Sequence, residues 1–358
     1  MGFTAGRSYV IRNRRSCRVL NVMGNGTNQG ATLDTWELQQ DGRRPSQVWH
    51  LFPLDQGSAL LANKNSGQVV SVRDNSTAPS EEIEQAFVQA DRIASQSWMV
   101  REAPGGGYHI VNKRSGLYLN LHMNNTMSGT RAEQYYFIND PVACQVWDLE
   151  VEDEYKTILD LQQVDTGPDD IGDILRLTDF RRPAKSTTER VLIGQVALPF
   201  PLVDDPGMSA QERAQRSPYY LLKRYGSWKM VYYYEHSGAS GYTKTQEIKV
   251  GLTTTNSSEV NSTTGISVTA NAGFSFSGLT ASLSSTVSYQ LQVTTDSSTS
   301  ELTQRTETVS RSYPAGKRIS EAIWYRDNTF ILERLDGTEI LEWTVRDSGT
   351  CITDAYPD

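Results

Sequence analysis

Gln47-Val48-Trp49, Gln96-Ser97-Trp98 and Gln145-Val146-Trp147 repeat one Q-x-W triplet at intervals of 49 residues. A second marker recurs in phase with it. Tyr9 to Ser16 (YVIRNRRS) aligns with Ala59 to Ser66 (ALLANKNS) and Tyr108 to Ser115 (YHIVNKRS), with Asn13, Asn63 and Asn112 in register. Two independent markers in one register mean three copies of one structural unit. Within each copy, short alternating apolar and polar runs are separated by Gly, Asn, Asp and Ser, which is strand and turn chemistry. One such copy cannot bury its own apolar face, whereas three closing around an axis can. Three four-stranded units of this length predict a β-trefoil over residues 1–150, with the Q-x-W tryptophans in its core.

The Q-x-W repeat resembles the ricin B-type lectin repeat. That resemblance implies sugar binding through an aromatic ring that follows a Gly-rich turn, together with side-chain oxygens and amides. Gly30 to Trp36 (GATLDTW) and Gly129 to Tyr135 (GTRAEQY) fit that pattern, while Ile83 to Phe87 (IEQAF) in the middle copy has no ring in register. The expected carbohydrate contacts are Asn21, Asp34, Trp36 and Gln47 in the first copy, and Asn120, Glu133, Tyr135 and Gln145 in the third. Two departures stand out. Asn21, Ser71 and Asn120 occupy the place of an early Asp, and Ser46, Ser95 and Cys144 replace the Asn before the glutamine.

The 358 residues leave room for a second domain, expected over 151–358. Residues 1–150 hold 14 basic and 14 acidic side chains, so the formal charge of −8 lies in the second part. A chain with no basic half is a poor nucleic-acid binder. Arg7, Arg12, Arg14, Arg15 and Arg18 read as a solvated strand face balanced by acids elsewhere. No apolar run of about 18 residues encodes a transmembrane helix, and the N-terminal residues form neither a signal peptide nor a myristoylation signal. Three cysteines are too few for a disulfide framework. Cys17 could bridge to Cys144, although buried free thiols are the simpler expectation. The acids from Asp148 to Asp173 read as a solvated connector, with a possible strand over 157–164.

Beyond the connector, Tyr219 to Tyr234 is dense in aromatics and reads as a sheet strand. Between Thr253 and Ser312 about half the positions are Ser or Thr, and lysine is absent. Ile266, Val268, Ala270, Ala272, Phe274 and Phe276 alternate with small, mostly polar residues. After Ser277-Gly278 the parity flips, and Leu279, Ala281, Leu283, Val287, Tyr289, Leu291 and Val293 are apolar. Period two predicts two strands joined by a turn. The polar face carries no charge from Val260 to Thr295, which suits a water-filled lumen better than an ordinary exterior. A transmembrane strand needs about 9–11 residues. A lone hairpin leaves backbone groups unsatisfied in lipid, so several chains must pool hairpins into a closed barrel. Residues 266–293 are therefore the candidate insertion hairpin, and Ile266 through Leu291 on its apolar face are the candidate membrane contacts.

Leu198-Pro199-Phe200-Pro201-Leu202-Val203-Asp204-Asp205-Pro206, then Ser217-Pro218-Tyr219-Tyr220-Leu221-Leu222-Lys223-Arg224-Tyr225 and Trp228, resemble the binary-toxin-like (Toxin_10, or Tpp) insecticidal crystal proteins of spore-forming bacteria. The resemblance implies an all-β chain: an N-terminal ricin B-type trefoil followed by an elongated antiparallel sheet domain of aerolysin-like type. It implies a protoxin held in an intracellular crystal inclusion of the sporulating producer and trimmed by gut proteases. The toxin would bind a glycan or glycoprotein receptor on midgut cells, oligomerise with copies of itself and enter the target-cell membrane, with or without a second toxin component. Cleavage after Arg346 is one expected trimming site. The rival readings are a non-toxic lectin or adhesin whose second domain only oligomerises it, and an enzyme. The latter finds no H-E-x-x-H, G-x-S-x-G or Walker A motif, so neither enzyme chemistry nor any cofactor or metal is expected.

Overall fold

The computed structural model describes all residues except 1–2, 55–56, 141–142, 254–258, 261–265, 269–273, 277–280, 294–304 and 358. The chain divides into two compact units. The first holds Met1–Leu161, Ala197–Tyr220 and Gly278–Leu283, and the second holds Gln162–Val196, Leu221–Ser277 and Ser284–Asp358.

In the first unit each copy supplies four strands. These are Arg7–Asn13, Val19–Val22, Leu33–Trp36 and Val48–Pro53; Ser58–Asn63, Val69–Val72, Glu81–Ala86 and Trp98–Glu102; and Tyr108–Asn112, Tyr118–Leu121, Thr130–Tyr135 and Trp147–Glu154. All twelve join one sheet, the β-trefoil that the repeats predict. The motif residues are spent on backbone groups. Trp49, Trp98 and Trp147 are fully buried, and their indole N–H groups donate to the carbonyls of Leu20 (3.1 Å), Val70 (3.0 Å) and Leu119 (3.1 Å). Asn13, Asn63 and Asn112 donate to the carbonyls of Cys144, Ser46 and Ser95. Each bond satisfies a backbone group that would otherwise be orphaned in the core.

The acidic stretch begins inside this unit. Asp148, Glu150 and Glu154 belong to the last trefoil strand; Glu150 and Glu154 pair with Arg12 and Arg7 on the first, and Asp148 with Arg14 just beyond its end. Arg7 and Arg12 thus stand on a strand and are balanced by acids, whereas Arg14, Arg15 and Arg18 lie outside the strands. The connector reading is corrected at its start, because these carboxylates sit in a ladder. The possible strand over 157–164 is also corrected, since Lys156–Leu159 forms a helical turn. Cys17, Cys144 and Cys351 are free; Cys144 is buried, but Cys17 and Cys351 are exposed.

Residues 197–220 fold back onto the trefoil. A helix over Ala210–Arg216 starts with a capping box between Ser209 and Glu212. His50 Nε2 lies 2.8 Å from the Ala214 carbonyl, and the Tyr219 hydroxyl accepts from the Gly6 N–H at 2.8 Å. Phe52 meets Phe200 and Tyr219 edge-to-face. Gly67, at φ +71°, is required here, because a Cβ would stand 2.3 Å from the Ala210 carbonyl oxygen.

The second unit is built on a six-stranded sheet, in the order Val191–Pro199, Tyr219–His236, Ile319–Arg334, Glu339–Tyr356, Tyr242–Leu252, Arg305–Tyr313, whose last four strands pair antiparallel. Trp228, Met230 and Trp324 pack with Ile171, Ile174, Leu177 and Ile193 into one core cluster. On the last pair of strands Thr243 meets Ser312 and Thr245 meets Ser310, with oxygens 2.9 and 3.2 Å apart. Arg346 lies within a strand and pairs with Asp327 at 2.7 Å with its side chain 13% exposed. The structure therefore corrects the expectation of a trimming site after Arg346, because proteases need an accessible, extended segment.

The candidate insertion segment differs from its period-two reading. Ile266–Val268 pairs antiparallel with Phe274–Phe276, with Ile266 opposite Phe276, so 266–276 is not one continuous strand, and the expected turn at Ser277-Gly278 lies outside the described residues. Ala281–Gln290 is an α-helix, not a strand. The reason is legible in the residues. Leu283, Val287 and Leu291 stand at i, i+4 and i+8, which serves a helical face, and the period-two pattern is broken by Ser285. Val287 and Leu291 are fully buried, while Tyr289 is 67% exposed. At the helix C-terminus the buried Arg224 donates to the carbonyls of Leu291, at 3.0 Å, and of Gln292. A cation satisfies terminal carbonyls and complements the helix dipole there.

Candidate carbohydrate-binding site

The site acids are placed by strand register. Asn21 faces Asp34, Ser71 faces Glu84, and Asn120 faces Glu133, each pair across the second and third strands of its copy. The ring position follows two residues later: Trp36 faces Val19, Ala86 faces Val69, and Tyr135 faces Tyr118. One register thus gives one acid and one ring position to each copy, with different residues in each.

In the first copy these groups line a pocket of about 220 Å³, together with Met23, Gly24, Asn25, Gln39 and Arg43. Asn21 Nδ2 donates to Asp34 Oδ1 at 2.7 Å. Ser46 Oγ lies 3.1 Å from Asn21 Oδ1 and 2.6 Å from Asn25 Oδ1, which orients both amides. Burial pushes the Asp34 carboxyl above the ordinary carboxylate range, and the Asn21 hydrogen bond opposes this in part. Trp36 is 40% exposed. It rests on Gly129 of the third copy, where a Cβ would come within 3.3 Å of the indole. A polarised carboxylate, an amide and an exposed indole are the groups that sugar recognition needs: hydroxyl acceptors, a donor and a stacking face.

Gln47 stands behind this pocket. Its Nε2 donates to the Glu37 carbonyl at 2.9 Å, and its Oε1 accepts from the Gln39 N–H at 2.7 Å. Gln96 brackets Phe87 and Gln89, and Gln145 brackets Tyr136 and Ile138, in the same way. Gln47 and Gln145 therefore hold the chain that follows each ring. Gln39, on the rim, is positioned by one of these brackets.

The third copy brings together Asn120, Glu133 and Tyr135. Asn120 Nδ2 donates to Glu133 Oε1 at 3.0 Å, and His122 Nδ1 lies 2.7 Å from Glu133 Oε2. Tyr136 and Phe137 beside Tyr135 are exposed. In the second copy Arg73 Nε donates to Glu84 Oε2 at 3.0 Å and another guanidinium nitrogen to Glu82, and the ring position is the buried Ala86. Sequence reasoning missed Met23, Gly24, Asn25, Gln39, Arg43 and His122. The first three were findable, because the turn after the second strand recurs in the repeat register and Asn25, Asn75 and Asn124 all take positive φ, which Asn tolerates better than most residues.

Residues 191–358 match the family described as Insecticidal Crystal Toxin, P42 (Toxin_10). Residues 3–86 and 94–167 match the ricin-type β-trefoil lectin domain-like family. The chain joins a ricin-type lectin domain to a Toxin_10 domain. Among solved structures, Cry35Ab1 is similar over 99% of this chain and 91% of its own, with a TM-score of 0.75 at 17% identity, a likeness of fold. The designed threefold-symmetric ThreeFoil aligns with 40% of this chain and 98% of its own, at TM-score 0.37 and 25% identity. The C-half of the earthworm R-type lectin, solved with GalNAc, aligns with 41% and 99% at TM-score 0.33 and 17% identity. No curated relative matches the chain in sequence.

The Toxin_10 domain match contains the candidate membrane contacts. Ile266 and Val268 sit on one short strand, and Phe274 and Phe276 on its partner. Ala281, Leu283, Val287 and Tyr289 fall on the helix, with Leu291 just beyond its end. Ala270, Ala272 and Leu279 lie outside the described residues.

Proposed function

We propose that this protein is an insecticidal β-pore-forming toxin. Residues 1–150 recognise a glycan or glycoprotein on midgut cells, and residues 151–358 breach the membrane. The observation that carries the reading is the Toxin_10 match over 191–358 in a chain whose trefoil presents the Asp34–Trp36 pocket. Asn21, Asp34 and Trp36 bind the sugar in the first copy, and Asn120, Glu133 and Tyr135 in the third. Gln47 and Gln145 act from behind by fixing the rims.

Receptor binding concentrates chains on a surface and makes self-association feasible. The segment 266–293 then leaves its soluble arrangement. Its helix converts to strand, so that Val287, Tyr289 and Leu291 face lipid with Ile266, Val268, Phe274 and Phe276. The Ser and Thr positions between them line the lumen of a homo-oligomeric barrel. The producing cell holds the chain as a crystal inclusion, and a second toxin component remains compatible with this scheme. The reading uses no catalytic step and no cofactor.

Dye-loaded midgut vesicles test it. Leakage that needs both the vesicle glycans and an intact Asp34–Trp36 pocket supports the proposal. Binding without leakage leaves a lectin or adhesin and sinks the pore.

A further inference from the structure

One end of the second unit's sheet gathers cations that the fold leaves without carboxylates. Tyr242 faces Tyr313, and Ser320 faces Tyr356, so the turn at 314–318 caps that end. The Gly316 N–H donates to the Gly238 carbonyl at 2.7 Å. The loop Arg181-Arg182-Pro183-Ala184-Lys185 stands beside this turn. The Arg318 guanidinium lies 4.1 Å from the centroid of the Phe180 ring, and Phe180 meets Tyr356 edge-to-face at 5.0 Å. Both ends of the loop are fixed. The Phe180 carbonyl accepts from the Tyr233 hydroxyl, and the Asp179 carbonyl from Ser320 Oγ at 3.2 Å. The Ser186 carbonyl accepts from the Met230 N–H at 2.8 Å, and Lys229 Nζ donates to the Ser186 and Thr187 hydroxyls at 3.2 and 3.0 Å.

Arg181, Arg182, Lys185, Lys317 and Arg318 are all exposed. Arg318 pairs with Glu235 at 2.6 Å. Among the described residues, Arg181, Arg182, Lys185 and Lys317 form no ion pair. Elsewhere in this unit Arg176, Arg190, Arg311, Arg326 and Arg346 each hold a carboxylate. The acids near the loop are already engaged. Asp179 Oδ1 accepts from the Arg181 N–H at 2.6 Å, and the largely buried Glu321 and Asp354 pair with Arg311 and Arg176.

We infer that this end of the sheet is a docking surface for a sulfated polysaccharide. Guanidinium forks match the oxygens of phosphate-like tetrahedral anions, and a short Lys/Arg cluster without carboxylate partners suits a chain of repeated negative charges. The loop is fixed on both sides, so little order is lost on binding. Anionic lipid carries similar charge, but the topology favours the polysaccharide. Val250 faces Arg305 at the far end of the strand pair, so residues 253–304 leave the sheet there, roughly 30 Å along the strand from Tyr242. A bilayer at the basic end would hold the segment proposed to insert away from lipid. The choice of polysaccharide over lipid rests on the pore reading; the cation cluster does not. The surface lies on a different unit from the Asp34–Trp36 pocket and adds a charge-driven contact to the function proposed above.

The test uses the full chain and fluorescent heparin, with chemically desulfated heparin and phosphatidylserine vesicles as comparison ligands. Heparin should bind at about 50 mM salt, and log affinity should fall against log salt with a slope of about four, near one for each cation. Arg181→Gln, Arg182→Gln and Lys185→Gln combined should weaken binding about ten-fold or more and cut the slope to about one. An unchanged thermal melt shows that this variant is folded. Trp36→Ala should leave heparin affinity as it is. Parent-like affinity in the folded triple variant overturns the surface, and so does loss of heparin binding in Trp36→Ala, which would place the anion in the trefoil. Equal binding of desulfated heparin overturns the sulfate assignment. Binding to the vesicles without binding to heparin overturns the polysaccharide in favour of lipid. Leakage is read separately: its absence removes the pore reading, while heparin binding lost with the three cations still supports this surface.

Discussion

The trefoil and the 266–293 segment both carry a strong periodic signal, yet the signal means different things in each. In the trefoil the recurring Gln and Asn residues each have a fixed backbone partner. Gln47, Gln96 and Gln145 bracket the chain after each ring position, and Asn13, Asn63 and Asn112 tie neighbouring copies together. Such residues permit one register only. In the 266–293 segment the pattern is made of apolar positions and interchangeable Ser and Thr. Leu283, Val287 and Leu291 satisfy a helical face as well as a strand face, and Ala281–Gln290 takes the helix. The refolding proposed for 266–293 needs a segment that is not over-determined, because two packings must lie within a few kcal/mol of each other.

Substitutions should separate the two regions. The largest effect is expected in the trefoil core, where Trp147→Ala leaves a cavity and an unpaired Leu119 carbonyl. It should cost about 3–5 kcal/mol, read by denaturant unfolding. A Tyr289→Ser change, on an exposed helical position, should stay within about 0.5 kcal/mol and yet alter leakage.

Acid should act on the trefoil next. His50 is fully buried beside Phe52, Phe200 and Tyr155, and desolvation pulls its pKa from 6.5 to about 4. The folded state therefore keeps a neutral ring while the unfolded chain takes up a proton. The contribution is complete above the ordinary imidazole pKa and is lost as pH falls from 6.5 toward about 4. A shift of this size is worth roughly 3 kcal/mol. Melting followed against pH should show that loss, and His50→Phe should flatten it.

Smaller effects belong to the pocket. Asp34→Asn should weaken glycan binding by about 1.5–3 kcal/mol and Trp36→Ala by about 1–1.5 kcal/mol, both measured by titration with a galactosylated albumin. Because burial raises the Asp34 pKa, first-copy binding should also be present at neutral pH and fade in acid as that carboxylate protonates.

The all-β class, the trefoil and its core tryptophans were legible because the repeat supplied an internal comparison, and chance does not hold two markers in phase across three copies. The acid and ring positions were legible for the same reason. Arg73 and His122 were not, although both lie in the repeat register, because a cation beside a carboxylate is visible only once the strands bring residue 73 to 84 and residue 122 to 133. The helix at 281–290 was missed on weaker ground. Ser285 interrupts the alternation, and its cost was outweighed by the regularity on either side. The last trefoil strand was hidden within an acidic run because its neutralising partners, Arg7, Arg12 and Arg14, stand at the other end of the domain.

The most direct measurement concerns residues 286–291 in membranes. Single cysteines at these positions, in a chain whose three native cysteines are changed to Ser, are labelled with an environment-sensitive dye and followed as leakage develops on receptor-bearing vesicles. The account predicts that labels at 287, 289 and 291 move into an apolar environment while those at 286, 288 and 290 stay in water, a period of two replacing the helical arrangement. A helical periodicity that survives leakage, or leakage with no label entering lipid, would contradict it.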